Sequence, residues 1–157
     1  MRRAGALPDL PFRQLGDPLY SQRNPHQLFL LLLSVAAASQ LLNGGAGSPD
    51  LDAAMAGWAV KVWGSGLLAG SLVALVGMWW PRTWTGLVVE RTGLVVVAAV
   101  AALYAWVLGT AGSHLWYSVA IHTAYAASCA WRVAQITRRL RWVSAQVVRL
   151  NSRGDEA

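Results

Sequence analysis

Five side chains in the last third of the sequence have the spacing of a functional stripe. Ser118, His122, Tyr125, Cys129 and Arg132 recur at intervals of 4, 3, 4 and 3 residues, which on an α-helix puts them on one face. A hydroxyl, an imidazole, a phenol, a thiol and a guanidinium in one row could line a wet pathway or relay protons. They could equally hydrogen-bond to neighbouring helices in a packed bundle. Titratable groups in an apolar setting are costly enough that one of these two uses must apply.

Glu90 is the acid best placed to answer Arg132. It opens an apolar run at about the depth at which Arg132 closes the next one. An ion pair between antiparallel neighbours would relieve the desolvation cost of both. Arg91 is not an alternative partner, because adjacent residues on a helix diverge.

Other chemistry finds no purchase. A bis-histidine haem needs two imidazoles at matching depth on facing helices, and His26, His114 and His122 do not offer that. Cys129 with His122 is too small a set for zinc. The single cysteine excludes an internal disulfide. There is no phosphate loop, no GxSxG, no HExxH and no carboxylate pair within an apolar run. Asp50 and Asp52 stand at a helix start, where acids complement the macrodipole. The expectation is a non-enzymatic protein without cofactor or metal.

The elements that carry these residues are membrane helices. The chain has 157 residues, of which 55% are apolar and 13% charged, against about 25% charged in a soluble domain. Mean hydropathy is +0.40. The pI of about 10.5 would suit a nucleic-acid binder, but the cations lie beside apolar runs, as membrane topology demands. Lipid headgroups are therefore expected as the partner, and nucleic acid is not.

Residues 1–24 hold Pro8, Pro11 and Pro18 without apolar periodicity and read as a disordered cytoplasmic tail. Asn24 and Pro25 then start a first helix ending near Leu42. Ala36-Ala37-Ala38 before Ser39 also resembles a signal cleavage site, so removal of this helix stays an alternative to its expected retention. Ser48-Pro49 restarts a helix, whose span proper covers residues 61–80 with Lys61 snorkelling at its outer end. Pro81-Arg82-Thr83 turns the chain into a third helix over residues 84–108, and a fourth begins at His114.

Two signals orient the four spans. Of the thirteen cations, all but Lys61 fall on one side, with Asp50 and Asp52 on the other. Trp58, Trp63, Trp106 and Trp116 mark outer ends, while Trp79, Trp80, Trp84 and Trp131 mark inner ends, the headgroup levels that indoles prefer. The expected fold is an all-α integral membrane bundle of four transmembrane helices over residues 25–134. Both termini would be cytoplasmic, and residues 135–157 would form a basic amphipathic tail extending helix four.

In lipid, helices associate through small residues and polar pairs. Gly66, Gly70, Ala74 and Gly77 supply such a face on helix two, Ala98, Ala102, Ala105 and Gly109 on helix three, and Ser34 and Ala38 on helix one. These faces serve bundle packing or self-association into a homo-oligomer. In the tail, Val133, Ile136, Leu140, Val143, Val147 and Leu150 form a heptad stripe opposite Arg138, Arg141 and Arg149. That is either a coiled-coil seam for a protein partner or an amphipathic helix lying on anionic lipid. Arg139 and Trp142 join the same membrane or partner surface.

Glu90-Arg91-Thr92-Gly93 opening helix three and Ala130-Trp131-Arg132-Val133-Ala134-Gln135-Ile136 closing helix four give a pattern that resembles small four-helix membrane proteins of phages of GC-rich Gram-positive bacteria, some of them holin-like. The resemblance extends over about residues 28–142 and lies in overall pattern, so it assigns no site residue; four spans exceed the one to three usual in holins. It implies a small protein of the cytoplasmic membrane that oligomerises and permeabilises it. A non-catalytic scaffold docking a partner through its basic tail, and a small channel using the helix-four stripe, remain open beside it.

Overall fold

The computed structural model describes residues 25–44, 57–80, 84–111 and 115–154, with the backbone alone for Ala111, Val143 and 146–154. The Pro-containing tail, the Asp50/Asp52 loop with its Ser48-Pro49 helix start, the 81–83 turn and His114 lie outside the described residues. So do the side chains of Arg149 and of the seam positions Val143, Val147 and Leu150.

Four helices account for nearly everything described: α1 (Pro25–Leu42), α2 (Gly57–Trp79), α3 (Trp84–Ala111) and α4 (Trp116–Gly154). Pro25 suits the first position of α1 because its missing N–H has no helical partner there. At the other end Gly44, with φ of 78°, takes the left-handed conformation that lets the last turn close. Three of the helices, α1, α2 and α3, are long and apolar enough to cross a membrane. The fourth carries the polar stripe and falls short of that apolarity.

The helices pack in sequence order: α1 on α2, α2 on α3 and α3 on α4, with no other pair in backbone contact among the described residues. The α2–α3 crossing is the tightest. A Cβ on Gly93 would lie 2.6 Å from the Gly70 carbonyl oxygen, and one on Gly77 would lie 2.6 Å from Glu90 Cα. Backbone meets backbone here, which only glycine permits. The expected small-residue face of α2 is thus used inside the chain: Gly66 faces Val100, Gly70 faces Val96 and Val97, and Ala74 is fully buried. On α1, Ser34 and Ala38 are buried as well.

Side-chain pairs set the antiparallel register of α3 and α4. Tyr104 meets His122 near one end and Glu90 meets Arg132 near the other, so residues 118–132 of α4 run beside residues 90–108 of α3. Trp58, Trp106 and Trp116 are exposed at the first end; Trp79, Trp80, Trp84 and Trp131 are exposed at the second. On α3 the two levels, Trp84 and Trp106, are ~33 Å apart at 1.5 Å per residue, close to the hydrocarbon thickness of about 30 Å. Trp63 departs from the expected girdle. Its ring turns into the bundle and stacks on Tyr104 with centroids 4.5 Å apart.

The core runs past the expected bundle boundary at residue 134. Ile136 and Leu140 are buried in the same cluster as Leu31, Leu87 and Leu94. The first part of the heptad stripe is therefore covered by the chain's own bundle, and α4 leaves it as a continuation of one unbroken helix.

Candidate functional site

The helix-four stripe faces inward, and His122, Tyr125 and Arg132 on it have partners inside the chain. His122 is half-buried, and its Nδ1–H donates to the Ser118 carbonyl one turn earlier at 2.8 Å. Because a carbonyl can only accept, the proton must sit on Nδ1. The imidazole meets the Tyr104 ring edge-on at 4.5 Å, which completes a three-helix aromatic stack of Trp63, Tyr104 and His122.

Less than one turn further along, Tyr125 reaches across to α1. Its hydroxyl lies 2.9 Å from Ser34 Oγ, while Ser34 Oγ also lies 2.9 Å from the Leu30 carbonyl. Serine has one proton, and the carbonyl needs it. Tyr125 is therefore the donor to Ser34. This bond joins the first and last helices of the row, which make no backbone contact. Cys129 follows, fully buried in the core cluster.

At the far end Arg132 Nε donates to Glu90 Oε1 at 2.9 Å. The Glu90 side chain is 5% exposed and that of Arg132 18%. This is the pairing expected from matched depth, and it ties α3 to α4 where both leave the apolar layer. Of the five stripe residues, Cys129 is buried and His122, Tyr125 and Arg132 are hydrogen-bonded within the chain.

Three buried polar atoms nonetheless make no hydrogen bond among the described residues: Gln27 Nε2, Trp63 Nε1 and Ser71 Oγ. Ser71 lies on α2 with no exposure. Sequence reasoning placed Trp63 at an outer girdle and did not single out Ser71. Nor did it find Tyr104 or Ser34 as partners of the stripe, although the inward spacing of Ser34 and Ala38 was a usable signal. No group of three or more histidine, cysteine or acidic side chains placed to hold a metal occurs among the described residues.

The expected tail surface is divided between two environments. Arg138, Arg141 and Trp142 are exposed, while Arg139 is half-buried; burial lowers its guanidinium from the ordinary value. The outward face of α4 within the apolar layer differs from those of the other helices. Phe29, Leu32 and Leu33 on α1, Leu72 and Val76 on α2, and Val95 and Leu103 on α3 present bulk to the surroundings. Helix α4 presents Ile121 in the same way, but beside it the small residues Ala120, Thr123, Ala124, Ala127 and Ser128. Beside them runs a groove of about 520 Å³ bounded by Gly109, Trp116 and Val119.

No protein-family model, curated protein or solved structure matches this chain.

Proposed function

We propose that the chain is a four-span protein of the cytoplasmic membrane with both termini inside, and that it works as a non-enzymatic scaffold presenting a rigid basic helix to the cytoplasm. The observation that carries this reading is the internal pairing of the helix-four stripe. His122, Tyr125 and Arg132 each have a partner within the chain, at 2.8, 2.9 and 2.9 Å. A single copy therefore has no polar wall to offer a water-filled path.

The four-span count rests on register. Residues 118–132 accompany α3 along its apolar length, so α4 lies at membrane depth if α3 does. Its inward polar groups are paired, which removes most of their cost in hydrocarbon. The direction rests on charge: all cations but Lys61 fall toward the Trp84 end. Ile136 and Leu140, held in the bundle core, make the cytoplasmic part of α4 a rod continuous with the span.

A second reading, the holin-like permeabiliser, draws on the outward face of α4. Small and hydroxylated residues there suit contact with further copies better than contact with lipid tails, and assemblies of that kind could open the membrane. Timed expression in a bacterium separates the two. The scaffold reading expects harmless accumulation and an unchanged membrane potential; abrupt depolarisation at a set time would replace it with the permeabiliser. Reporters after Ala157 and before Met1 should both read cytoplasmic, and one inserted at Gly45 should read external. A cytoplasmic Gly45 would sink the four-span topology whichever role holds.

A further inference from the structure

The outward line of α4 continues without a break from the apolar layer to the cytoplasmic side. Ala120, Ala124, Ala127, Trp131, Gln135, Arg138 and Trp142 follow one another at intervals of 4, 3, 4, 4, 3 and 4, a single helical face. All are exposed except Gln135, which is half-buried. Trp131 is 63% exposed and Trp142 51%. This face is not the heptad stripe, whose Ile136 and Leu140 are spent in the core. The basic face of the helix, not its apolar one, is therefore the part left for a partner.

We infer that this line seats one anionic phospholipid of the cytoplasmic leaflet, a partner that presupposes the membrane-spanning orientation proposed above. Arg138 holds the phosphate as a planar donor fork, with Arg141 one turn around and Gln135 as a further amide donor. Trp131 and Trp142 bracket it at the level where indoles favour the headgroup and glycerol region. The acyl chain runs up over Ala127 to Ala124, which line the near end of the groove. From Arg138 to Ala124 the helix rises ~21 Å, the reach of one extended fatty-acyl chain. Charge complementarity selects lipid over a second copy for the lower half of the line, since another copy would bring Arg138 against a face of its own sign.

The test uses the full chain, purified in a mild detergent, with phosphatidylglycerol and phosphatidylcholine as paired probes read by native mass spectrometry. One phosphatidylglycerol per chain should be retained in preference to phosphatidylcholine. Arg138→Gln should weaken that retention about fivefold, as expected for one basic residue near a charged surface, while Arg138→Lys should keep most of it. Arg91→Gln, on an exposed part of α3 away from this line, should leave it unchanged. Ala124→Trp, filling the acyl path, should weaken both lipids alike, with size-exclusion profiles checking that each variant stays folded.

Equal retention of the two lipids, or equal losses from Arg91→Gln and Arg138→Gln, would overturn the site. So would a lipid-free dimer that Ala124→Trp dissociates, which would give the face to a second copy. Failure of the membrane reading is seen separately, as alkaline extraction of the chain from cell membranes; a chain that resists extraction yet shows no lipid preference defeats only the lipid site.

Discussion

Two interfaces within this molecule solve the same problem in opposite ways. Where α2 and α3 cross most closely, backbone meets backbone: Gly70, Ala74 and Gly77 let one chain lie against Glu90 and Gly93 of the other. Between α3 and α4, and from α4 across to α1, the contact is made by polar and aromatic groups: Tyr104 with His122, Ser34 with Tyr125, Glu90 with Arg132. Lipid tails are as apolar as leucine, so burying apolar area does not draw helices together in a bilayer. One interface gains dispersion contacts by excluding bulk; the other makes separation leave buried polar groups unpaired. The first has no tolerance for added atoms. The second should tolerate size but not the loss of a single partner.

The largest expected effect follows from the first kind of contact. Gly93→Leu should cost more than the ~3 kcal/mol typical of overpacking, because the obstructing atoms are Ala74 and Gly70 backbone rather than a movable side chain. Size-exclusion chromatography in detergent should find little monodisperse protein. A well-folded Gly93→Leu variant would mean that α2 and α3 are not in close contact.

Next comes the ion pair. Glu90→Gln and Arg132→Gln should each destabilise by about 3 kcal/mol, since either strands a buried charge, and the double substitution should recover part of the loss. Unfolding followed in mixed micelles gives the cycle. Strict additivity would show that the two residues do not interact.

The hydroxyl bridge is worth less. Tyr125→Phe and Ser34→Ala should each cost about 0.6–1.7 kcal/mol, from the average to the maximum measured for interhelical hydrogen bonds in a membrane protein, and together little more than either alone. The smallest effect is expected at His122. Its hydrogen bond is to the Ser118 carbonyl of its own helix, so His122→Leu should cost about 0.6 kcal/mol or less. Leucine is also cheaper in hydrocarbon. A large loss there, without unfolding, would point back to a functional stripe.

How much of this was legible in the sequence depends on the kind of contact. Helix bounds were, because Pro25, the 81–83 turn and the small residues punctuate the chain; α1 lies over the expected residues and α3 runs three residues beyond them. Matched depth was enough to bring Glu90 and Arg132 together. Depth says nothing about rotation, however. Trp63 sits at the level of an outer girdle yet turns inward, because its own face of α2 also carries buried Val60, Leu67 and Gly70. Likewise the period of Val133, Ile136 and Leu140 reveals a seam but not what covers it. The cover proves to be the bundle itself, so the seam is no open docking face where it can be seen. The Ser34–Tyr125 bond joins the first helix to the last, a closure that no local pattern encodes.

Cys129 offers the most direct test of the central claim, that the polar face of α4 is packed and dry. It is the sole cysteine of the chain and sits between Tyr125 and Arg132 with no exposure. In membrane fragments open to the reagent on both faces, a small charged thiol reagent should leave Cys129 unmodified, while a Ser144→Cys control at an exposed position of α4 labels rapidly; unfolding in detergent should then release Cys129 to react. Labelling of Cys129 in these fragments at a rate near that of the control would contradict the packed bundle and make the stripe the wall of a water-filled path.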